Sequence, residues 1–146
     1  MAVVGIITSY RCRHFSIHEL IDEQTFIQWG EDAWMFFRPE ALISLDNIRT
    51  YFGKPIIVNN WIWGGDLQYR GFRPFYCKVG ADYSQHRFGN AFDITVEGIG
   101  AEEVRQEILA NKNHVAFEAI TCLETDIEWV HFDLRNVQDR IWLVKP

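Results

Sequence analysis

The chain has 146 residues and a formal net charge of −6, and 48% of its residues are hydrophobic. This length and composition are typical of one folded domain with a sizeable core, so we expect residues 1–146 to form a single domain. The negative charge and the lack of clustered lysine and arginine argue against a nucleic-acid-binding protein. No apolar stretch is long enough for membrane insertion.

The N-terminal segment "MAVVGIITSYRCRHF" has a short apolar run with no basic residues ahead of it, which is not the pattern of a signal peptide. We therefore expect a protein that is made in the cytoplasm without an export signal of its own. Its three cysteines, Cys12, Cys77 and Cys122, are scattered and odd in number. That pattern predicts buried free thiols rather than a disulfide framework.

Two helices and a strand are predicted in the first part of the chain. In "FSIHELIDEQTFIQW" (residues 15–29), Ser16 stands three residues before Glu19, as in a capping box at a helix start. "RPEALISLDNIRTYFGK" (residues 38–54) has apolar residues on one helical face, with proline at its start and glycine at its end. The β-branched run "KPIIVNNW" (residues 54–61) predicts a central strand.

The second part of the chain predicts mainly strands. Residues 61–83 are rich in glycine and have no period, and a long loop of this kind usually carries function. Residues 91–98 alternate as in a strand, and residues 100–113 have the apolar stripe of a helix. Further strands are predicted at three places: 117–124, 126–134 and 140–146. Helices first and strands mostly later predict an α+β fold, with N-terminal helices packed on a small, mainly antiparallel sheet.

Two polar stretches stand out because together they contain candidate ligands for a metal site. The alternative for the first stretch is a polar turn that leads into a strand. "DYSQHRFGNAFDI" (residues 82–94) has His86 and Asp93 with a glycine between them, and "EWVHFDL" (residues 128–134) adds Glu128 and His131. Imidazole and carboxylate are standard zinc ligands, and a catalytic zinc keeps three protein ligands and an open position. His86, Asp93 and His131 form such a set, which leaves Glu128 as a candidate general base.

The position of Glu128 cannot be read from its spacing to His131. On a regular strand Glu128 points to the face opposite His131, so it reaches the same site only from a bend or bulge. A helix would place both residues on one side, but "IEWVHF" is rich in β-branched and aromatic residues. The alternative to a catalytic role is that Glu128 is an exposed carboxylate at a strand edge. The spacing leaves these alternatives open.

The two stretches carry a resemblance to a known superfamily. "SQHRFGNAFD" (residues 84–93) followed by "EWVH" (residues 128–131) matches the pattern S-x-H-x-x-G-x-A-x-D … E-x-x-H of the D-alanyl-D-alanine metallopeptidases. This superfamily includes zinc D,D-carboxypeptidases, vancomycin-resistance dipeptidases and phage L-alanyl-D-glutamate endolysins, and it shares its fold with the Hedgehog signalling domain. The chain resembles these proteins from about Phe15 to Asp133, which implies the Hedgehog/DD-peptidase fold.

The resemblance implies a role for each matching residue. His86, Asp93 and His131 are implied as ligands of one Zn²⁺ ion per chain, and Glu128 as the catalytic base. Ser84 fits the serine of the motif, which we expect to order the loop around the site.

The family also has an arginine, in a turn similar to S-G-Y-R, that binds the substrate carbonyl or carboxylate. Here "RGFRP" offers Arg70 and Arg73, and Arg73 fits better because Gly71 and Phe72 precede it. A structural salt bridge is the alternative for Arg73. Asp133 is a candidate partner of His131 or a purely structural residue.

The function implied by the resemblance is zinc-dependent hydrolysis of a peptide bond in the stem peptide of peptidoglycan. A D,D-carboxypeptidase and an L-alanyl-D-glutamate endopeptidase both fit, and the small chain without a signal peptide resembles a phage or prophage lysis enzyme that acts on the cell wall after release. A phage tail-associated enzyme or a bacterial cytoplasmic dipeptidase is a further alternative. The alternative from another class is a non-catalytic zinc-binding recognition module on the same fold, which would not need Glu128. The oligomeric state is not indicated by the sequence.

Overall fold

The computed structural model describes residues 8–146. The N-terminal apolar run, on which the expectation of no export signal rests, lies mostly outside these residues. Three α-helices are present: α1 (Glu23–Trp29), α2 (Pro39–Phe52) and α3 (Ala101–Ala110). Five strands form one sheet: β1 (Ile56–Ile57), β2 (Ala91–Val96), β3 (Cys122–Glu124), β4 (Val130–Asp133) and β5 (Trp142–Val144).

The sheet has the order β1-β2-β4-β3-β5, and only the pairing of β3 with β5 is parallel. The prediction of an α+β fold with a mainly antiparallel sheet is therefore confirmed. The helices and the sheet enclose one hydrophobic cluster, with Leu45 and Ile48 of α2 and Phe92 and Phe132 of the central strands fully buried. Among the described residues, no helix is both long and apolar enough to cross a membrane.

Helix α2 follows the prediction closely. Pro39 occupies the first turn, where its missing N–H is not needed, and Gly53 ends the helix in the left-handed conformation with φ of 61°. Its apolar side faces the core through Ala41, Leu42, Leu45 and Ile48.

The predicted helix over residues 15–29 is wrong in its extent, because it is divided in two. The capping box of Ser16 and Glu19 is present, but it begins only a short 3-10 turn, Ile17–Glu19. A second cap follows at Asp22, whose carboxylate accepts a hydrogen bond of 3.2 Å from the backbone N–H of Thr25, and α1 begins after it. Ser16 and Asp22 are both capping residues within seven positions. Each begins its own short helical segment, so one continuous helix does not form.

The predicted central strand over residues 54–61 is also wrong in its place and length. Strand β1 has only two residues and lies at the edge of the sheet. The chain leaves the sheet because Asn59 forms hydrogen bonds elsewhere: its N–H donates to the carbonyl of Glu19, and its side chain bonds to Ile21 O and Arg70 N.

The last three predicted strands are shorter than expected. Residues 117–121 do not extend β3, because Phe117 and Ile120 close turns with the carbonyls of His114 and Phe117. Residues 126–129 form bends before β4, and β5 has three residues. The predicted loop over 61–83 is confirmed except for one 3-10 turn, Trp61–Trp63. The three cysteines are free thiols, as predicted, but only Cys77 and Cys122 are buried and Cys12 is half-buried.

Candidate metal centre and active site

Three elements bring the predicted zinc ligands together. His86 lies on the 3-10 turn Gln85–Phe88, Asp93 on β2 and His131 on β4. Asp93 and His131 are direct partners in the β2–β4 register, so their side chains leave the sheet side by side. The three side chains are 2 to 4% exposed. The structure therefore joins the two polar stretches of the sequence in one buried cluster.

The turn that carries His86 is held at both ends. Ser84 Oγ accepts a hydrogen bond from the backbone N–H of His86, and Gly89 ends the turn with φ of 63°. A side chain at residue 89 would also collide with the carbonyl of Phe36. Glycine is needed here for its conformation and for the close approach of a second backbone. The expected ordering of this loop by Ser84 agrees with this geometry.

The ligand atoms of the cluster converge on one point. His86 Nε2 and His131 Nδ1 lie 3.2 and 2.9 Å from Asp93 Oδ1, and 3.2 Å from each other. Outside the cluster, His86 Nδ1 donates to the carbonyl of Gly71 at 2.8 Å, and His131 Nε2 donates to Asp133 Oδ2 at 2.7 Å. These outer bonds fix both imidazoles so that their other nitrogens face inward.

Two inward-facing imidazole nitrogens and a carboxylate fit a zinc ion. Two nitrogen lone pairs 3.2 Å apart repel each other unless a cation or a proton lies between them. Neutral imidazoles with a carboxylate are the ligand set of a catalytic zinc with an open fourth position. His86, Asp93 and His131 are also the group in the described residues whose ligand atoms all lie within 4.8 Å of one another.

The charges of the cluster are set by burial and by the neighbouring groups. Burial lowers the pKa of His86, and the nearby Asp93 offsets this only in part. Burial also opposes ionisation of Asp93, but the two imidazoles outweigh it and hold the pKa of Asp93 well below its usual range. Burial disfavours charge on His131, yet its hydrogen bonds to Asp133 and Asp93 raise its pKa to about 9. Each imidazole already holds a proton on its outer nitrogen, so without a metal the additional proton between the two inner nitrogens resides on His131.

Asp133 contacts His131, which is one of the two alternatives that the sequence left open for it. It is fully buried, and besides His131 it binds Arg135, whose Nε donates to Asp133 Oδ1 at 2.8 Å. Burial raises the pKa of Asp133, but these two partners outweigh the effect and lower it. Arg135 was not predicted from the sequence. The available signal was its position two residues after Asp133, which lies in a predicted strand.

The two candidate arginines have different surroundings. Arg73 is fixed by three bonds: Nε to the carbonyl of Tyr69 at 2.8 Å, Nη2 to Asp93 Oδ2 at 3.2 Å and Nη1 to Ser84 Oγ at 3.4 Å. Arg70 donates from Nη2 to Thr95 Oγ1 at 3.0 Å. Among the described residues, its Nε is buried without a hydrogen-bond partner. Burial lowers the pKa of Arg70, against the influence of Asp93.

Glu128 lies at a bend, which is one of the alternatives that its spacing left open. Strand β4 begins only at Val130, and Asp126 has a positive φ of 60° within the preceding bends. The Glu128 side chain is exposed and lines a cleft of about 430 Å³ together with Arg70, Arg73 and Asp93. The bend therefore places Glu128 on the wall of a cleft that reaches Asp93, one of the predicted zinc ligands.

A second cleft of about 490 Å³ also contacts Asp93 and is lined by His86, His131 and Glu124. Glu124 ends β3 beside His131 on β4, and its Oε1 lies 3.9 Å from His131 Nδ1. The sequence interpretation missed Glu124 because its proximity depends on the register of β3 against β4.

Aromatic side chains line the clefts only in part. Trp129 borders both clefts and is 40% exposed, and Tyr69 lines the first. Trp61 instead packs on Phe26 and donates from Nε1 to the carbonyl of Ile21 at 2.8 Å. Tyr69 therefore lines the cleft, whereas Trp61 belongs to the packing beneath the loop.

Comparison with known proteins agrees with this geometry. Residues 13–133 match the model of the peptidase M15 family, a span that contains all the cluster residues from His86 to His131. Neither the curated proteins nor the solved structures include a match to the chain. The family model covers most of the chain, and M15 peptidases depend on zinc. The chain therefore belongs to the peptidase M15 family and is a metallopeptidase.

Proposed function

We propose that this metallopeptidase hydrolyses a peptide bond in the stem peptide of peptidoglycan, with one zinc ion held by His86, Asp93 and His131. The observation that carries the proposal is the convergence of His86 Nε2, His131 Nδ1 and Asp93 Oδ1 beside an open cleft. A bound zinc ion supplies a Lewis acid that polarises the scissile carbonyl and lowers the pKa of water.

Glu128 is the proposed general base. A carboxylate in this position takes a proton from the attacking water and delivers it to the amine that leaves. The shared cleft of Glu128, Arg73 and Asp93 supports this role, because the substrate bond must lie between the base and the ligand cluster.

Arg73 is proposed to stabilise the oxyanion that develops on the substrate carbonyl. Its guanidinium is permanently charged, and its bonds to Asp93 and Tyr69 orient it before substrate arrives. Arg70 is proposed to bind a substrate carboxylate instead. Its side chain lines the same cleft, so an anionic group bound there can form a charged hydrogen bond with the guanidinium.

The substrate assignment follows from the family and from the clefts. Peptidoglycan stem peptides carry free carboxylates, which suit the two arginines, and the proposed bond is D-Ala-D-Ala or L-Ala-D-Glu. The proposed biological role is lysis by a phage or prophage enzyme that reaches the cell wall after release. Membership of a metallopeptidase family argues against the alternative of a non-catalytic zinc-binding module.

Digestion of purified peptidoglycan followed by mass spectrometry of the soluble muropeptides tests this proposal. Loss of one alanine from pentapeptide stems identifies a D,D-carboxypeptidase, and separation of the stem after L-alanine identifies an endopeptidase. Chelator-treated protein is the control and should release neither product. If the zinc-loaded protein releases neither product and cleaves other peptides instead, the substrate proposal is wrong.

A further inference from the structure

Helix α3 carries one arginine that faces the interior of the protein. Arg105 is 4% exposed, whereas Glu102 one turn earlier is exposed. A buried guanidinium needs hydrogen-bond partners for its donors, because burial without them is unfavourable. The partners of Arg105 therefore indicate why an arginine is at this position.

The guanidinium of Arg105 binds two backbone carbonyls that flank Glu128. Nη1 donates to the carbonyl of Trp129 at 2.9 Å, and Nη2 donates to the carbonyl of Ile127 at 3.1 Å. The remaining donor, Nε, is directed at Glu102 Oε2 at 2.9 Å. The side chain thus binds the carbonyls of the residues that precede and follow the proposed base.

The segment around Glu128 has few other constraints. Residues 125–129 lie outside the helices and strands, and Asp126 takes a left-handed conformation. The Glu128 side chain is exposed, and Trp129 is 40% exposed. Packing of these side chains therefore fixes the segment only weakly, and the two bonds from Arg105 hold it from the inside.

We infer that Arg105 is a positioning residue that fixes the backbone at Glu128 so that the carboxylate stays on the cleft wall. This inference rests on the proposed role of Glu128 as the base. A planar guanidinium can donate to two carbonyls at once, whereas a lysine ammonium in the same space concentrates its charge at one point. A displacement of about 1 Å in a catalytic group can lower a rate by about 100-fold.

The test compares Arg105→Lys with Arg140→Lys. Arg140 is a matched control because its guanidinium also binds backbone carbonyls, those of Ile120, Phe117 and Lys112, and it lines neither cleft. We expect Arg105→Lys to lower kcat for a cleavable stem peptide by about 10- to 100-fold, with KM and zinc content close to those of the unmodified protein. Arg140→Lys should keep kcat within about twofold, because it is remote from the reacting groups.

Chemical rescue separates positioning from a general loss of structure. Added guanidinium chloride at millimolar concentration should restore part of kcat in Arg105→Ala and none in Glu128→Gln. The inference is overturned if Arg105→Lys keeps the original kcat while Glu128→Gln is inactive. It is also overturned if the loss of kcat comes with a raised KM and a lowered zinc content and guanidinium restores nothing. If Glu128→Gln itself keeps the original kcat, the proposed base is wrong, which is a different failure.

Discussion

Asp93 and His131 lie opposite each other on neighbouring antiparallel strands, with Asp93 Oδ1 2.9 Å from His131 Nδ1. This pairing places two of the three proposed ligands by backbone register alone. Only His86 must then be delivered by a turn, and the bond from its Nδ1 to the carbonyl of Gly71 orients it. The centre is therefore built mainly by rigid elements, which favours a preorganised metal site.

The bond between Asp133 and His131 leads to the first prediction. Asp133→Asn should lower zinc affinity by about 10- to 100-fold, because the aspartate accepts the Nε2 proton of His131 and so presents Nδ1 to the metal. Competition with a fluorescent zinc chelator measures the affinity. Asp139→Asn, at an exposed position, is the control and should bind zinc as the unmodified protein does. Equal affinities for the two variants would contradict the role given to Asp133.

The raised pKa of His131 predicts that zinc binding depends on pH. In the metal-free protein this pKa is about 9, against an ordinary value of 6.5, so His131 is protonated at pH 7 and zinc must displace the proton. Apparent zinc affinity should therefore rise about tenfold per pH unit from pH 7 up to pH 9 and level off above it. Calorimetry in buffers with different ionisation enthalpies should detect the released proton. An affinity that does not change between pH 7 and 9 would be inconsistent with a proton at this position.

The same pKa has a consequence for the stability of the metal-free protein. The folded value lies above the ordinary one, so the stabilisation from charged His131 is fully present below about pH 6.5. It decreases as the pH rises through 9, because the folded state then loses the proton that it held more tightly than the unfolded state.

The different surroundings of Arg70 and Arg73 predict different variant kinetics. With paired peptides that end in a free carboxylate or in an amide, the unmodified protein should prefer the acid by about 10- to 100-fold, the range of one charged hydrogen bond. Arg70→Gln should bring the acid-to-amide ratio of kcat/KM close to one. Arg73→Gln should instead lower kcat for both peptides and keep the ratio. The assignment of the two arginines fails if Arg73→Gln is the variant that removes the preference.

Gly89 and Gly53 offer a matched test of the turn that carries His86. Both have a positive φ, 63° and 61°, but only at Gly89 would a side chain collide with another backbone segment. Gly53→Ala should therefore lower the free energy of unfolding by about 1 to 2 kcal/mol, the cost of the left-handed conformation. Gly89→Ala should lower it by more and also weaken zinc binding. Urea denaturation of the metal-free proteins measures the free energy of unfolding of both variants. Equal decreases for Gly53→Ala and Gly89→Ala would contradict a destabilising collision at residue 89.

The sequence predicted the ligand cluster because its residue types occur in two compact motifs. His86 and Asp93 are close in the chain, and the strand pattern of residues 128–134 implied that His131 and Asp133 share a face. Glu124 and Arg105 could not be found in this way. Glu124 lies near His131 because of the register between two strands. Arg105 contacts the Glu128 segment because of the way a helix packs. Neither relationship produces a pattern of residue types that can be recognised in the sequence.

The fold was predicted best where one local signal acted alone. Helix α2 has a proline start, an apolar face and a glycine end, and the structure has the helix where these signals place it. The first predicted helix contains two capping residues, Ser16 and Asp22. The prediction used only Ser16 and therefore placed one long helix where the chain forms two short segments. The strand predicted over residues 54–61 was misplaced because of Asn59. This residue follows a β-branched run in the sequence, but its side chain binds the backbone of distant segments.

Paired variants of a ligand and of the base test the central claim most directly. Zinc content and hydrolysis of stem peptides are measured for the unmodified protein, His86→Ala and Glu128→Gln. The account predicts that His86→Ala loses both zinc and hydrolysis, while Glu128→Gln keeps one zinc ion per chain and loses hydrolysis by about 100-fold or more, as expected for removal of a general base. Undiminished hydrolysis by Glu128→Gln, or full zinc binding by His86→Ala, would contradict it.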